Sequence, residues 1–258
     1  MARPGRQVAA LLACAALLTT GCTPGEGQDT NPPRATAAVP SSPPATRSAA
    51  YGKPCLQGRE RAAAFRFRVG QGFDTVGVIL GDGGDGIVFG HQRGGDLCEW
   101  LETARGYAQL GYRVLVFDFH DQDQLDDDVM AAVTELRRRG VARVVLVGSS
   151  MGGTAVLVAA TRIRPPVVGV VSLSGPADFG DLDARASGAR LRVPALFVAA
   201  RGDGPFARAA LELYGSAKTH DKRLLVVAGD AHGTPLLQAG DDAAEVRAVL
   251  RRFVDTYL

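Results

Sequence analysis

The sequence is poor in the residues that hold metals and nucleotides. It contains four cysteines and four histidines among 258 residues, and their spacing does not resemble a zinc site. No glycine-rich loop is followed by Lys-Ser or Lys-Thr, so a phosphate-binding loop is not predicted either. The sequence therefore implies no cofactor.

A marked excess of charge of either sign is also lacking. The chain has 29 Lys and Arg against 27 Asp and Glu, which gives a net charge of +2. No basic stripe alternates with aromatic residues. Nucleic acid is therefore not expected as a partner.

The apolar run near the start, Val8 to Leu18, is too short to span a bilayer as a permanent anchor. Arg3 and Arg6 precede it and small residues follow it up to Cys22, which is the layout of a secretory signal. Cys22 also resembles the lipidated cysteine of a bacterial lipobox, although Thr19 stands where leucine is preferred. We expect an exported protein, lipid-anchored through Cys22 to the outer face of the bacterial cytoplasmic membrane. The alternative is plain secretion.

Composition divides the chain into three segments. Residues 1–21 are the predicted signal peptide. Residues 22–52 are rich in Pro, Ala, Ser and Thr and have almost no large apolar residue, so they cannot bury enough surface to fold and are predicted to be a flexible tether. Residues 53–258 are long enough for one substantial core and are the predicted folded domain.

A pentapeptide, Gly148-Ser149-Ser150-Met151-Gly152, stands between the apolar run 144–147 and the helix-forming stretch 154–160. This strand, sharp turn and helix are typical of a nucleophile elbow, in which small residues on both sides of the turn let strand and helix approach. Ser150 is therefore the candidate nucleophile, and Ser149 is predicted to face away and pack.

A serine hydroxyl needs a base to take its proton and a carboxylate to orient that base. Asp203 and His232 each follow an apolar strand pattern, at 194–200 and 223–228. Because the carboxyl ends of parallel strands line one edge of a sheet, these side chains are expected to meet Ser150 there.

Each of these assignments has an alternative. Asp203 lies in a segment rich in turn formers, so it is also a candidate turn residue. Asp230 competes as the acid but lies only two residues before His232, too close to fold back onto its ring. His120 and His220 lie on less constrained segments and are expected to be ordinary surface or loop residues.

The rest of the chain alternates between strand and helix patterns, which is typical of a mainly parallel sheet with helices on both faces. Further strands are predicted at 65–69, 75–80, 87–90, 113–119 and 167–172, and helices at 96–110, 125–139, 206–218 and 242–258. The Gly- and Asp-rich segment 81–86 favours a hairpin turn. Residues 175–193 are too few for a sizeable cap domain.

Residues 91–95, His-Gln-Arg-Gly-Gly, follow an early strand. With the elbow and the order Ser, Asp, His, the chain resembles the α/β-hydrolase superfamily over roughly residues 60–258, closest to its small esterase and dienelactone-hydrolase-like members. The resemblance implies the α/β-hydrolase fold and an oxyanion hole formed by the backbone N–H groups of Met151 and Arg93, with Gln92 as the neighbouring alternative. Gln92 replaces the usual glycine. His91 would brace the loop.

Four cysteines agree with export. Cys14 lies in the predicted signal and Cys22 is the lipidation candidate, which leaves Cys55 and Cys98 as one possible pair. A disulfide between them is predicted, and two buried free thiols are the alternative.

The chain is therefore predicted to be a serine hydrolase that cleaves a carboxylic ester of a small molecule through an acyl-enzyme, with Ser150, His232 and Asp203 as its triad. Thioesterase, amidase or acyltransferase chemistry would use the same residues. The alternative from another class is a non-catalytic lipoprotein that keeps this scaffold to bind a partner.

Overall fold

A computed structural model describes residues 53–238 and 240–258. The signal peptide, tether and lipidation site predicted for residues 1–52 lie outside the described residues. The strands are β1 Ala64–Arg68, β2 Asp74–Leu80, β3 Asp85–Gly90, β4 Arg113–Phe117, β5 Arg143–Ser149, β6 Gly169–Leu173, β7 Asp178–Phe179, β8 Leu182–Asp183, β9 Ala195–Ala200 and β10 Lys222–Val227. The helices are α1 Gly58–Ala63, α2 Leu101–Gln109, α3 Leu125–Arg138, α4 Met151–Arg162, α5 Ala184–Gly188, α6 Gly204–Ser216, α7 Pro235–Gln238 and α8 Ala243–Tyr257.

Eight strands form one sheet in the order β1-β2-β4-β3-β5-β6-β9-β10. Neighbours from β4 to β10 pair in parallel, whereas β2 is antiparallel to both β1 and β4. The mainly parallel α/β sheet predicted from the alternating pattern is confirmed.

Apolar side chains alternate between the two faces of the sheet. Val88 and Leu146 belong to one buried cluster, which also holds side chains of α3, α4 and α6. Their neighbours Ile87 and Val145 belong to the other cluster, with side chains of α2 and α8. Because successive strand residues point to opposite faces, continuous apolar runs are buried on both sides, and the predicted helices on both faces are confirmed.

The three residues of the predicted triad all follow strands that end at the same edge of the sheet. Ser150 directly follows β5, Asp203 follows β9 by three residues, and His232 follows β10 by five. These strands are parallel, so their carboxyl ends open onto the same edge.

The hairpin predicted at 81–86 is wrong, because β4 lies between β2 and β3 in the sheet. The connection instead passes closely over the start of β4. A Cβ on Gly81 would lie 2.1 Å from the carbonyl oxygen of Tyr112, and one on Gly83 would lie 2.0 Å from that of Gly111. Close backbone approach favours the same glycine-rich composition as a tight turn, which explains the error.

Two helices begin differently from their predicted bounds. The helix predicted at 96–110 starts as a separate 3₁₀ turn, Leu97–Trp100, which Asp96 caps by accepting the N–H of Cys98 at 2.8 Å. The helix predicted at 206–218 begins two residues earlier, at Gly204, directly after Asp203.

The segment 175–193 holds only the short β7–β8 pair and the five-residue helix α5. It forms no separate layer over the sheet edge, in agreement with the prediction that a cap domain is absent.

A disulfide joins Cys55 to Cys98, with Cα atoms 5.8 Å apart and a sequence separation of 43. Lys53 reinforces the connection by pairing with Asp96 at 2.8 Å and with Asp118 at 2.9 Å. The segment before β1 is therefore fixed to the start of α2 and to the end of β4. In the part of the chain that is described, no helix combines the length and apolar character needed to cross a membrane.

Candidate active site

Ser150 occupies a strained turn between β5 and α4. Its backbone has φ +49° and ψ −119°, a left-handed value that is rare for a residue other than glycine. Its N–H donates to the carbonyl of Leu173 at 2.8 Å, which ties the turn to the end of β6. The side chain is partly exposed. The sequence prediction of an elbow at this position is confirmed in its geometry.

Both glycines of the elbow are sterically required. A Cβ on Gly148 would lie 2.2 Å from the carbonyl oxygen of Gly152. A Cβ on Gly152 would lie 2.4 Å from the oxygen of Gly90 and 2.6 Å from that of His91. The start of α4 therefore lies directly against the loop that follows β3.

Asp203 and His232 are hydrogen-bonded to each other. Nδ1 of His232 lies 2.9 Å and 3.0 Å from the two carboxylate oxygens of Asp203. Asp203 is only 7% exposed, and burial raises the pKa of its carboxyl, although the Ser174 hydroxyl and His232 both favour the ionised form. The ring of Phe206 covers the imidazole, with ring centroids 4.2 Å apart.

Ser174 connects the acid to the loop that carries the histidine. Its buried hydroxyl donates to Oδ2 of Asp203 at 2.6 Å and accepts the N–H of Gly233 at 3.1 Å. Its backbone also has a positive φ of +50°. Sequence reasoning missed this residue, although its position directly after β6, at the same sheet edge, is a signal that could have drawn attention to it.

The histidine loop lies against the elbow. Gly233 follows His232, and a Cβ built on it would lie 3.5 Å from Cβ of Ser149, the residue before Ser150. The Ser150 hydroxyl makes no hydrogen bond to any described residue. Hydrogen bonds between nucleophile and base are commonly long in structures without substrate.

The backbone N–H groups near Ser150 differ in whether they already donate a hydrogen bond within the protein. Among the described residues, the N–H groups of Met151 and Arg93 have no hydrogen-bond partner. The N–H of Gln92, in contrast, donates to Oε2 of Glu99 at 3.2 Å. The structure thus leaves free the two donors that the resemblance names first, and it occupies the alternative.

His91 braces the loop, as predicted. Its Nε2 accepts the backbone N–H of Phe119 at 3.0 Å, and its Nδ1 lies 2.8 Å from the carbonyl oxygen of Gln92. Burial lowers the pKa of His91, which favours the neutral ring that these two bonds require.

Comparison with solved structures identifies the architecture. The dienelactone hydrolase from Anabaena variabilis aligns with a TM-score of 0.63 and 20% identity, covering 76% of this chain and 99% of that chain. The esterase domain of a Rhodothermus marinus protein gives 0.62 and 22%, with 75% and 98% coverage. The Paleococcus ferrophilus monoacylglycerol lipase gives 0.61 and 13%, with 72% and 100% coverage. The chain has the α/β-hydrolase fold.

Sequence comparison found no matching protein-family model and no matching curated protein. At 13–22% identity the structural likeness establishes the α/β-hydrolase fold and not a particular reaction.

Within this fold, His120 departs from the sequence prediction. It was expected to be an ordinary surface or loop residue, but its Nδ1 lies 2.8 Å from both carboxylate oxygens of Asp128, which is fully buried. The exposed ring of Phe73 stacks on the imidazole at 5.0 Å. The pair fastens the loop after β4 to α3. His220 is exposed, in agreement with its prediction.

Two further observations complete the site of this α/β-hydrolase fold. Asp230 is exposed and makes no hydrogen bond to His232 in the described structure, so the carboxylate on the imidazole is that of Asp203.

Within residues 53–238 and 240–258, no group of three or more His, Cys, Asp or Glu side chains is placed to hold a metal ion.

Proposed function

We propose that the protein is a serine hydrolase that cleaves a carboxylic ester through an acyl-enzyme. The observation that carries this proposal is the hydrogen-bonded pair of His232 and Asp203, with the His232 loop packed against the elbow whose serine is held at φ +49°. A strained elbow, an oriented imidazole and a buried carboxylate are the three parts that acyl transfer by serine requires.

In this mechanism His232 removes the proton of Ser150 as its oxygen attacks the ester carbonyl. Asp203 holds Nδ1–H, which leaves Nε2 free to accept that proton and stabilises the imidazolium. The imidazolium then protonates the leaving alcohol as the ester C–O bond breaks. Water, deprotonated by His232, attacks the acyl-enzyme, and the proton returns to Ser150 as the acid leaves.

The negative charge that develops on the carbonyl oxygen needs donors that are not already engaged. The N–H groups of Met151 and Arg93 meet this requirement among the described residues, whereas that of Gln92 does not. One such donor typically contributes about 3 kcal/mol of transition-state stabilisation.

The natural substrate is proposed only by class, a small-molecule carboxylic ester. The short segment 175–193 leaves the sheet edge without a cap, which supports an open site. Three similar structures are described as a dienelactone hydrolase, an esterase domain and a monoacylglycerol lipase, which supports acyl-ester chemistry.

The test compares wild-type protein with Ser150→Ala and with the matched control Ser149→Ala. Ser149 is suited to this control because its buried hydroxyl has no partner among the described residues. We expect a fluorophosphonate probe to label wild type and the control but not Ser150→Ala, and turnover of short-chain p-nitrophenyl esters to follow the same pattern. A folded wild type that neither labels nor turns over would instead favour the non-catalytic scaffold.

Export and lipidation at Cys22 are proposed on the sequence alone. In a bacterial host, we expect the protein to fractionate with membranes and the Cys22→Ala variant to lose that association. A wild-type protein found only in the medium would support plain secretion.

A further inference from the structure

Glu99 lies under the loop that follows β3. One carboxylate oxygen, Oε2, accepts the backbone N–H of Gln92 at 3.2 Å. The other oxygen, Oε1, fills the space beside Gly95, where a built Cβ would lie only 1.6 Å from it. The loop also closes on itself, because the N–H of Gly95 donates to the carbonyl of Gln92 at 3.1 Å.

The element that carries Glu99 is firmly held. Its neighbours in the 3₁₀ turn are Cys98, which forms the disulfide, and Trp100, whose indole N–H donates to the carbonyl of Gly90 at 3.0 Å. The N–H of Leu97 donates to Asp118 at 2.9 Å. The carboxylate of Glu99 therefore contacts the glycine-bearing loop after β3 from an element that is itself fixed by a disulfide and hydrogen bonds.

The bond to Glu99 decides which loop N–H is free. Gln92 and Arg93 are consecutive residues, and each has one backbone N–H. An N–H that already donates to a carboxylate is not available to donate to the oxyanion. With Gln92 engaged, the next residue, Arg93, supplies the available donor. A donor acts on the transition state only when it is placed within a few tenths of an ångström, so the orientation of this peptide matters to rate.

We propose that Glu99 is a positioning residue of the oxyanion loop: by binding the Gln92 N–H it fixes the following peptide so that the Arg93 N–H faces the developing oxyanion. This inference rests on the proposed hydrolase function. Glu99 does not touch the substrate and acts through the loop.

The electrostatic setting of Glu99 gives the arrangement a pH dependence. Burial raises the pKa of Glu99 to about 7, the Gln92 N–H opposes that rise, and the nearby carboxylate of Asp96 adds to it. Lys53 faces Asp96 and offsets part of its charge. Below about pH 7 the carboxyl is protonated and is a weaker acceptor for the Gln92 N–H, so the loop is held less firmly.

The experiment measures kcat and KM for a short-chain p-nitrophenyl ester in wild type, Glu99→Ala and Glu99→Gln. We expect Glu99→Ala to lower kcat at least about 10-fold with KM within about 2-fold, because oxyanion donors act on the transition state. Glu99→Gln keeps an acceptor oxygen and should restore most of the rate at pH 8. The exposed Glu102 supplies the matched control, and Glu102→Ala should behave as wild type.

A second pair of variants tests the contact from the other side. Gly95→Ala should displace the carboxylate and lower kcat as Glu99→Ala does, since its methyl would overlap Oε1. In the double variant Gly95→Ala/Glu99→Ala the methyl has no carboxylate to displace, so kcat should match Glu99→Ala alone within about 2-fold. Independent effects would multiply instead.

The pH profile separates positioning from a general structural effect. The catalytic residues are the same in wild type and Glu99→Gln, so the ratio of their kcat values isolates the effect of Glu99. Protonated Glu99 and glutamine are both neutral acceptors, so this ratio should be highest at pH 8 and approach 1 at pH 6. Unchanged kcat in folded Glu99→Ala, or the same ratio of wild type to Glu99→Gln at pH 6 and pH 8, would overturn the proposal. Failure of the proposed hydrolase function is distinguished by wild type itself, which would then neither label with fluorophosphonate nor turn over.

Discussion

The hydroxyl of Ser174 donates a 2.6 Å hydrogen bond to Oδ2 of Asp203, the carboxylate that holds His232. The same hydroxyl accepts the N–H of Gly233 at 3.1 Å. One side chain at the end of β6 therefore fixes both the carboxylate of Asp203 and the loop that carries His232, so the proposed chemistry should depend on it.

Ser174→Ala is predicted to lower kcat about 10-fold with little change in KM, because Asp203 loses a buried donor and the histidine loop loses its anchor. Steady-state kinetics with a p-nitrophenyl ester measure this. Ser172→Ala is the control, since the buried Ser172 hydroxyl has no partner among the described residues. Equal rates for the two variants would show that the Ser174 bonds do not support catalysis.

Asp203→Asn is predicted to lower kcat on the order of 10³-fold, since an amide disfavours the Nδ1–H tautomer that leaves Nε2 free. Asp230→Asn should stay within about 2-fold of wild type because Asp230 is exposed and is not bonded to His232 in the described structure. Kinetics of the two variants at one pH give the comparison. The reverse order would assign the acid to Asp230.

Gly152→Ala is predicted to destabilise the fold by at least about 2 kcal/mol, because its methyl would overlap two backbone carbonyl oxygens that cannot rotate away. Gly106→Ala, in the interior of α2 with open space around it, should stabilise by about 0.5–1 kcal/mol. Urea unfolding of both variants measures the difference. A Gly152→Ala protein as stable as wild type would contradict the close approach of α4 to the β3 loop.

The double variant Cys55→Ser/Cys98→Ser is predicted to lose up to about 4 kcal/mol of unfolding free energy in the chain-entropy description of a loop closed across 43 positions. Thermal unfolding with and without reductant measures the effect in wild type, and the double variant should not respond to reductant. Thiol labelling at Cys55 and Cys98 themselves in denatured, unreduced protein would contradict the disulfide.

Glu99 also predicts a pH dependence of stability. Its pKa in the folded protein is about 7, above the ordinary 4.5, so the folded state binds the proton more tightly than the unfolded state. The contribution of Glu99 to the free energy of unfolding is therefore fully present below pH 4.5, where the carboxyl is protonated in both states. This contribution is lost as the pH rises through 7. Relative to wild type, Glu99→Gln should gain about 1 kcal/mol between pH 5 and pH 8, after allowance for solvent screening, in urea titrations.

The elements that the sequence predicts well are those with short-range signals. The apolar run before Gly148, the elbow glycines and the positions of Asp203 and His232 after apolar strands are each visible within ten residues, and the structure has the corresponding strands and turns. Burial on both faces of a parallel sheet makes such runs easy to recognise.

The features that the sequence did not predict depend on which elements pack together and on the paths of the loops between them. The order β2-β4-β3 is set by which strands pair, and a glycine-rich connection is compatible with either a hairpin or a crossing. His120 and Asp128 meet only because α3 packs beside the end of β4. The bond from Gln92 to Glu99 likewise forms across a loop whose path the sequence does not reveal.

The crossing of 81–83 over the start of β4 bears on where the chain tolerates insertions. At Gly81 and Gly83 neighbouring backbone leaves no room even for a methyl group, whereas Gly140, an exposed glycine before β5, has nothing within 4 Å of a built Cβ. Both places lie at the amino ends of strands, at the edge opposite Ser150. A reporter domain spliced in beside Gly140 would leave ester turnover unaltered, and the same domain spliced in at 81–83 would force β2 and β4 apart.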